Sequence, residues 1–141
     1  MFNKILLPTD GSEFSEREVE RATKALADDG EIIILSVAGK LAATTPFQRK
    51  KNIDQMNEGF LKEAHQNVER MAKRFDDSVN VRTMVVTGIP AETIIDVADN
   101  EDVDLIIIAA SGKSGIHRFF IGSVAEKVLK SSERDVLLIH N

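Results

Sequence analysis

Glu31-Ile32-Ile33-Ile34-Leu35-Ser36-Val37 and Asp104-Leu105-Ile106-Ile107-Ile108-Ala109-Ala110 are continuous aliphatic stretches in which apolar and polar residues do not alternate. A strand with one wet face alternates, whereas a strand covered on both faces does not, so both stretches read as strands of a parallel sheet. Lys4–Pro8 (KILLP) and Val136–His140 (VLLIH) share the pattern. Val81–Val86 (VRTMVV) mixes Arg82 and Thr83 among its apolar residues and reads as an exposed edge strand.

Helical periods lie between these runs. Ser12 or Ser15 caps a helix in which Val19, Ala22, Thr23 and Leu26 share a face, with Gly30 as its stop. From about residue 48 to 76, Met56, Phe60, Ala64, Val68, Met71 and Phe75 recur at three- or four-residue spacing, giving a long amphipathic helix. Arg49-Lys50-Lys51 reads as its solvated end. Pro90 begins a short helix with Ile94, Ile95 and Ala98, and a last helix from Ser123 presents Val124, Val128 and Leu129. Ala38–Phe47 is the one long irregular connection. The alternation predicts an α/β fold, a single domain over residues 1–141 with helices on both faces of a doubly wound parallel sheet. In such sheets ligands bind outside the carboxyl ends of the strands, where the chain reverses direction.

Composition narrows the function. The 141 residues carry 18 Lys+Arg against 23 Asp+Glu, a formal charge of −5, with no Cys, Trp or Tyr. Disulfide frameworks and thiol nucleophiles are excluded. Nucleic-acid binding is not expected without a basic run or stacking aromatics. No apolar run is long enough for a membrane span, and the cytoplasm is the expected location. His65, His117 and His140 show no metal-ligand spacing.

The first strand ends in Pro8-Thr9-Asp10-Gly11-Ser12. Asp10 is either an acceptor for a ligand amine or hydroxyl or a helix-capping turn residue. A haloacid-dehalogenase nucleophile would occupy position 8, which is Pro8, and a response-regulator receiver finds no phosphorylatable Asp after a later strand. The fourth strand runs into Ser111-Gly112-Lys113-Ser114-Gly115. A Walker A loop needs glycine where Ile107 stands, and G-x-G-x-x-G is absent. Gly112 and Gly115 nevertheless permit close backbone approach, and Gly122-Ser123 opens a helix whose free N–H groups favour an anion. From Leu105 to Ala125 there is no acidic residue.

The strand Ile5–Asp10 (ILLPTD), Gly88-Ile89-Pro90, and Gly112 followed by Gly122-Ser123-Val124-Ala125-Glu126-Lys127-Val128 resemble the universal stress protein family from end to end. The ATP-binding members carry G-x2-G-x9-G-[ST]; this chain reads A-x2-G-x9-G-S, with Ala109 at the first position. The resemblance implies a Rossmann-like fold of the adenine nucleotide alpha hydrolase type, with five parallel strands in the order 3-2-1-4-5. It implies that Pro8 and Asp10, with Thr9 between them, flank adenine or ribose, and that the Val37 main chain pairs with the adenine edge. The loop of Ala109, Ala110, Ser111, Gly112, Lys113, Ser114 and Gly115 would wrap ribose and phosphates. Ser123, Val124 and Ala125, following Gly122, would hold the phosphates. The implied ligand is ATP, with AMP or ADP as alternatives, and Mg2+ is carried by the nucleotide. A homodimer through Val136–His140 would cover an otherwise bare edge strand.

The expected role is a stress-response module that passes its bound state to a protein partner. A slow ATPase or nucleotide-transferring enzyme is the alternative, disfavoured because no paired carboxylates or Walker lysine accompany the loop. The methyl of Ala109, placed where the backbone approaches the ligand, keeps a nucleotide-free interaction protein as a third reading.

Overall fold

The structure, a computed structural model, describes residues 1–11, 15–42, 50–110 and 121–140. Five strands and four helices follow one another as β1 (Phe2–Pro8), α1 (Ser15–Ala25), β2 (Leu26–Ala38), α2 (Lys50–Ala72), β3 (Asn80–Thr87), α3 (Pro90–Asn100), β4 (Leu105–Ala109), α4 (Ser123–Ser131) and β5 (Asp135–Ile139). The sheet order is β3-β2-β1-β4-β5 and every pairing is parallel. The aliphatic runs thus form the predicted sheet, with β3 on one edge and β5 on the other.

The lack of alternation is explained by two cores. Leu6, Ile33, Leu35, Ile106 and Ile108 pack against Ile94, Val97 and Ala98 of α3 and Ala125 and Val128 of α4. Ile5, Leu7, Ile32, Ile34, Leu105 and Ile107 pack on the other face against Ala22 of α1 and Val68 and Met71 of α2. Burying an aliphatic side chain of this size contributes roughly 1.5–3 kcal/mol, so the five strands are held chiefly by these two faces.

Three local expectations are corrected. Leu26 is not on the α1 face and Gly30 does not stop that helix, because β2 already begins at Leu26. Between the pairs Phe2–Leu26 and Lys4–Glu31 the register shifts, and Gly30 lies in this irregular stretch. A Cβ on Gly30 would stand 2.9 Å from the Asn3 carbonyl oxygen, so the residue serves close strand approach. The apolar stripe of α2 is buried only from Ala64 onward, and Met56 is 51% exposed. Leu129 of α4 is exposed while Val128 is fully buried.

Opposite the carboxyl ends, the amino ends of the strands are tied by charged side chains. Asp104 Oδ2 accepts from the main-chain N–H groups of Asn3 (2.9 Å) and Lys4 (3.0 Å). Arg134 donates to Asp99, Asp102 and the Val103 carbonyl, bracing the turn in which Asp102 has φ 52°. Arg82 of the edge strand reaches both Glu31 and Glu101.

Candidate functional site

The direction of the backbone groups at the carboxyl ends follows from a few hydrogen bonds. Thr9 N–H donates to the Leu35 carbonyl at 2.8 Å, so Thr9 faces β2 and, by alternation, Leu6 and Pro8 face β4. The β1–β4 ladder pairs Ile5 with Leu105 and Leu6 with Ile106, and goes no further. The next pair, Leu7 with Ile107, would need an N–H from residue 8 to the Ile107 carbonyl, and proline has none. The flanking ladders continue to Pro8–Leu35 and to Ala109–Ile139. One proline therefore opens the seam between the two central strands at the point where strand order reverses. This is the crevice where doubly wound sheets take their ligands.

Those of the predicted site residues that are described lie at the carboxyl ends of β1, β2 and β4 and at the start of α4. Pro8 is buried, Thr9 half-buried and Asp10 exposed at the β1 side of the seam. Val37 lies two residues past Leu35, so its N–H and C=O point toward β1 beyond the last registered pair, Pro8–Leu35. On the β4 side Ala109 is half-buried and Ala110 buried. Ala110 is committed to the protein through both main-chain groups: its N–H donates to Ile139 (2.8 Å) and its carbonyl accepts from Gly122 N–H (2.6 Å). That second bond brings the start of α4 back to the end of β4. Gly122 is the N-cap residue, with φ −65° and ψ 158°, and no side chain caps the helix. Among the described residues no side chain caps it, so the first-turn N–H groups at Ser123, Val124 and Ala125 form a terminus that favours an anion. Ser111, Gly112, Lys113, Ser114 and Gly115, and also His117, lie outside the described residues.

Gly11 shows how closely the β1–α1 turn is packed. Its φ is +83°, its N–H donates to Thr9 Oγ1 at 3.1 Å, and a Cβ would lie 2.6 Å from Asn67 Oδ1 of α2. Only glycine satisfies both the left-handed backbone and that approach.

Two residues at this end escaped the sequence reading. Asn67, 7% exposed, brings an amide from α2 to Gly11. Glu18, 2% exposed, lies on the first turn of α1, four residues before the buried Ala22. Burial, and secondly the Asp10 carboxylate, push the Glu18 carboxyl up to about 8. In the sequence Glu18 sits within Glu16-Arg17-Glu18-Val19-Glu20 and looks like part of a solvated face. The available signal was its i, i+4 relation to Ala22 on the apolar stripe. Among the described residues no group of three His, Asp or Glu could hold a metal ion, and no helix is long and apolar enough to cross a membrane.

The sequence comparisons join this geometry to a family. A family model, the universal stress protein family, matches residues 1–140. The chain belongs to the universal stress protein family. Universal stress protein MJ0577 of Methanocaldococcus jannaschii is 31% identical, over 99% of this chain and 95% of that protein. Universal stress protein YxiE of Bacillus subtilis is 30% identical over 99% of both. The solved structure of MJ0577 superposes with a TM-score of 0.82 at 32% identity, covering 99% of this chain and 96% of that one. More distant universal stress proteins share the fold and have been solved with nucleotides. One, at 20% identity and TM-score 0.61 over 99% and 97% of the two chains, is in complex with cAMP. One from Arabidopsis thaliana, at 18% and 0.61 over 97% and 90%, has AMP bound. One from Archaeoglobus fulgidus, at 17% and 0.54 over 96% of each chain, is in complex with dAMP.

Proposed function

We propose that this universal stress protein binds an adenine nucleotide, ATP in the first instance, in the crevice opened between β1 and β4. The observation that carries the reading is the seam itself. Pro8 ends the β1–β4 ladder at Leu6–Ile106, and the uncapped N-terminus of α4 is tied to the rim of that seam by the Gly122–Ala110 bond. Adenine nucleotides in the family's distant members support the same ligand class here. In this arrangement the Val37 main chain offers a donor and an acceptor to the adenine edge, and Asp10 accepts from ribose hydroxyls. The α4 terminus receives phosphate, with any Mg2+ carried by the phosphates. The net charge of −5 does not oppose this, since backbone donors act locally and the stretch from Leu105 to Ala125 carries no acidic residue.

The bound state is read by a protein partner in the cytoplasm, where such nucleotides are available. The protein also pairs with a second copy through β5. That strand is a sheet edge with Leu137 38% exposed and Val136 and Leu138 half-buried, and a bare apolar edge invites pairing.

Denaturing the purified protein and resolving the supernatant by ion-exchange chromatography tests the ligand class, and titration with ATP and AMP tests it independently. Released or titratable adenine nucleotide is expected. No release together with no titration heat would sink the reading. Comparing phosphate release from ATP by wild type and Asp10→Ala tests the enzymatic alternative.

A further inference from the structure

We propose that Asn67 of α2 is a positioning residue for ribose recognition. By holding Gly11 in its left-handed conformation it sets where the Asp10 carboxylate stands, and so makes the site prefer ribose to deoxyribose. The inference rests on the nucleotide reading above, in which Asp10 accepts from ribose hydroxyls, and names what fixes that acceptor.

The turn after β1 does not fix itself. Thr9 is anchored by its N–H on the Leu35 carbonyl at 2.8 Å. Gly11, two residues on, has φ +83°, and glycine passes readily between left- and right-handed backbone. Within the turn its N–H donates to Thr9 Oγ1 at 3.1 Å. From outside the turn comes Asn67, 7% exposed. A Cβ on Gly11 would lie 2.6 Å from Asn67 Oδ1, 3.0 Å from Cγ and 3.1 Å from Nδ2, so the whole amide fills the space of a side chain at position 11. Asp10 is thus bracketed, with Thr9 anchored to β2 before it and Gly11 pressed by α2 after it.

Asn67 is also an exception on its own helix. The buried residues of α2 are Ala64, Asn67, Val68 and Met71, and Asn67 is the polar one. Burying an amide costs desolvation that an apolar residue avoids, so space-filling alone does not account for it. A second amide of α2, Asn57, serves a different segment. Its Oδ1 accepts from Leu41 N–H at 2.8 Å and its Nδ2 donates to the Leu41 carbonyl at 3.0 Å, holding the chain beyond β2. Only the first of these amides adjoins the residue next to Asp10. A hydrogen bond from a hydroxyl to a carboxylate is short and weakens steeply when misaligned. A small drift of Asp10 therefore costs the ribose contact and spares those to base and phosphate.

Calorimetric titration with AMP, 2′-deoxy-AMP and 3′-deoxy-AMP tests this in wild type, Asn67→Ala, Asn57→Ala and Asp10→Ala. Wild type should bind AMP about tenfold more tightly than the weaker deoxy analogue, the worth of one hydrogen bond to a charged group. Asn67→Ala should bring that ratio under about threefold while leaving affinity for the same analogue within about twofold. Asp10→Ala should erase the ratio, adding Asn67→Ala to it should change nothing more, and Asn57→Ala should keep the wild-type ratio. A merely structural Asn67 would weaken all three ligands alike, and that result, or an unmoved ratio, overturns the proposal. A ratio that falls in Asn57→Ala as well also overturns it, since general loosening of α2 would then be the cause. Wild type that binds the three ligands equally overturns it while leaving nucleotide binding intact. No binding of any of them by wild type overturns the nucleotide reading and this one together. If Asn67→Ala does not fold, Gly11→Ala carries the test, because its methyl displaces the same contact from the side of the turn, and an unmoved ratio there overturns the proposal.

Discussion

The two rims of the sheet are built from different materials. At the amino ends, charged side chains close the structure: Asp104 on the N–H groups of Asn3 and Lys4, Lys4 Nζ on the Glu101 carbonyl at 3.0 Å, and Arg134 and Arg82 across four carboxylates. At the carboxyl ends, main-chain bonds do the closing, through Thr9–Leu35, Gly88–Ala38, Ala110–Ile139 and Gly122–Ala110. The buried polar side chains Glu18, Ser36 and Asn67 belong to elements meeting at this second rim. Charges at the first rim are partnered by the protein itself and serve the fold. At the second rim, a helix terminus without a side-chain cap among the described residues and an interrupted ladder are the features on which the proposed binding rests. On the proposed function the contrast divides stability from binding, and each substitution below can break that division.

The largest expected effect is that of Glu18 on stability, and its sign runs against the usual carboxylate. Folding raises this carboxyl from its ordinary value of 4.5 to about 8, so between those values the folded chain keeps a proton that the unfolded chain releases. Stability therefore falls as pH rises through that window and levels off above it. Glu18→Gln removes the dependence and should stabilise the protein by on the order of a few kcal/mol at pH 8.5, with little gain at pH 4.5. Urea denaturation at both pH values measures this. Parallel pH profiles for the two proteins would return Glu18 to the solvated face that its sequence context suggests.

Gly122→Val and Asp104→Ala form a crossed pair. At Gly122 the backbone is extended, with φ −65°, so valine is tolerated by the chain but stands where phosphate should approach. AMP affinity should drop by about a hundredfold, roughly 2.7 kcal/mol, with the urea midpoint nearly unchanged. Asp104→Ala strips the acceptor from two β1 N–H groups and should cost on the order of 1 kcal/mol of stability, Asp104→Asn less, with AMP affinity unaltered. Retained affinity in Gly122→Val would mean the phosphate site is elsewhere. Lost affinity in Asp104→Ala would dissolve the division between the rims.

The sequence carried the fold well because the deciding information is local. Uninterrupted aliphatic runs such as Ile32–Leu35 and Leu105–Ile108 state that both faces are covered, and the structure covers them. Where the reading failed, the cause was always a partner distant in sequence. Gly30 resembles a helix stop until Asn3 is seen beside it, and Met56 continues an apolar stripe that is buried only from Ala64 onward. That Pro8, Asp10 and Gly122 would lie at the carboxyl rim was legible because strand ends and glycines mark themselves. Glu18 and Asn67 were not, because their burial arises only when α1 and α2 settle over the β1–α1 turn.

The smallest effect belongs to Ala109, the one departure from the family's glycine spacing. It ends β4, opposite Ile139, and its side chain continues the row of Leu105 and Ile107 toward the α1 side. Ala109→Gly should cost roughly 0.5–1 kcal/mol of stability through added chain entropy. If the methyl limits how closely a nucleotide nests against the β4 end, AMP affinity should nevertheless rise by about threefold, under 1 kcal/mol. The two changes have opposite signs, so neither can be mistaken for the other. Affinity that falls along with stability would place the methyl against α1 and out of the crevice, and would leave the binding rim defined by Pro8 and Gly122 alone.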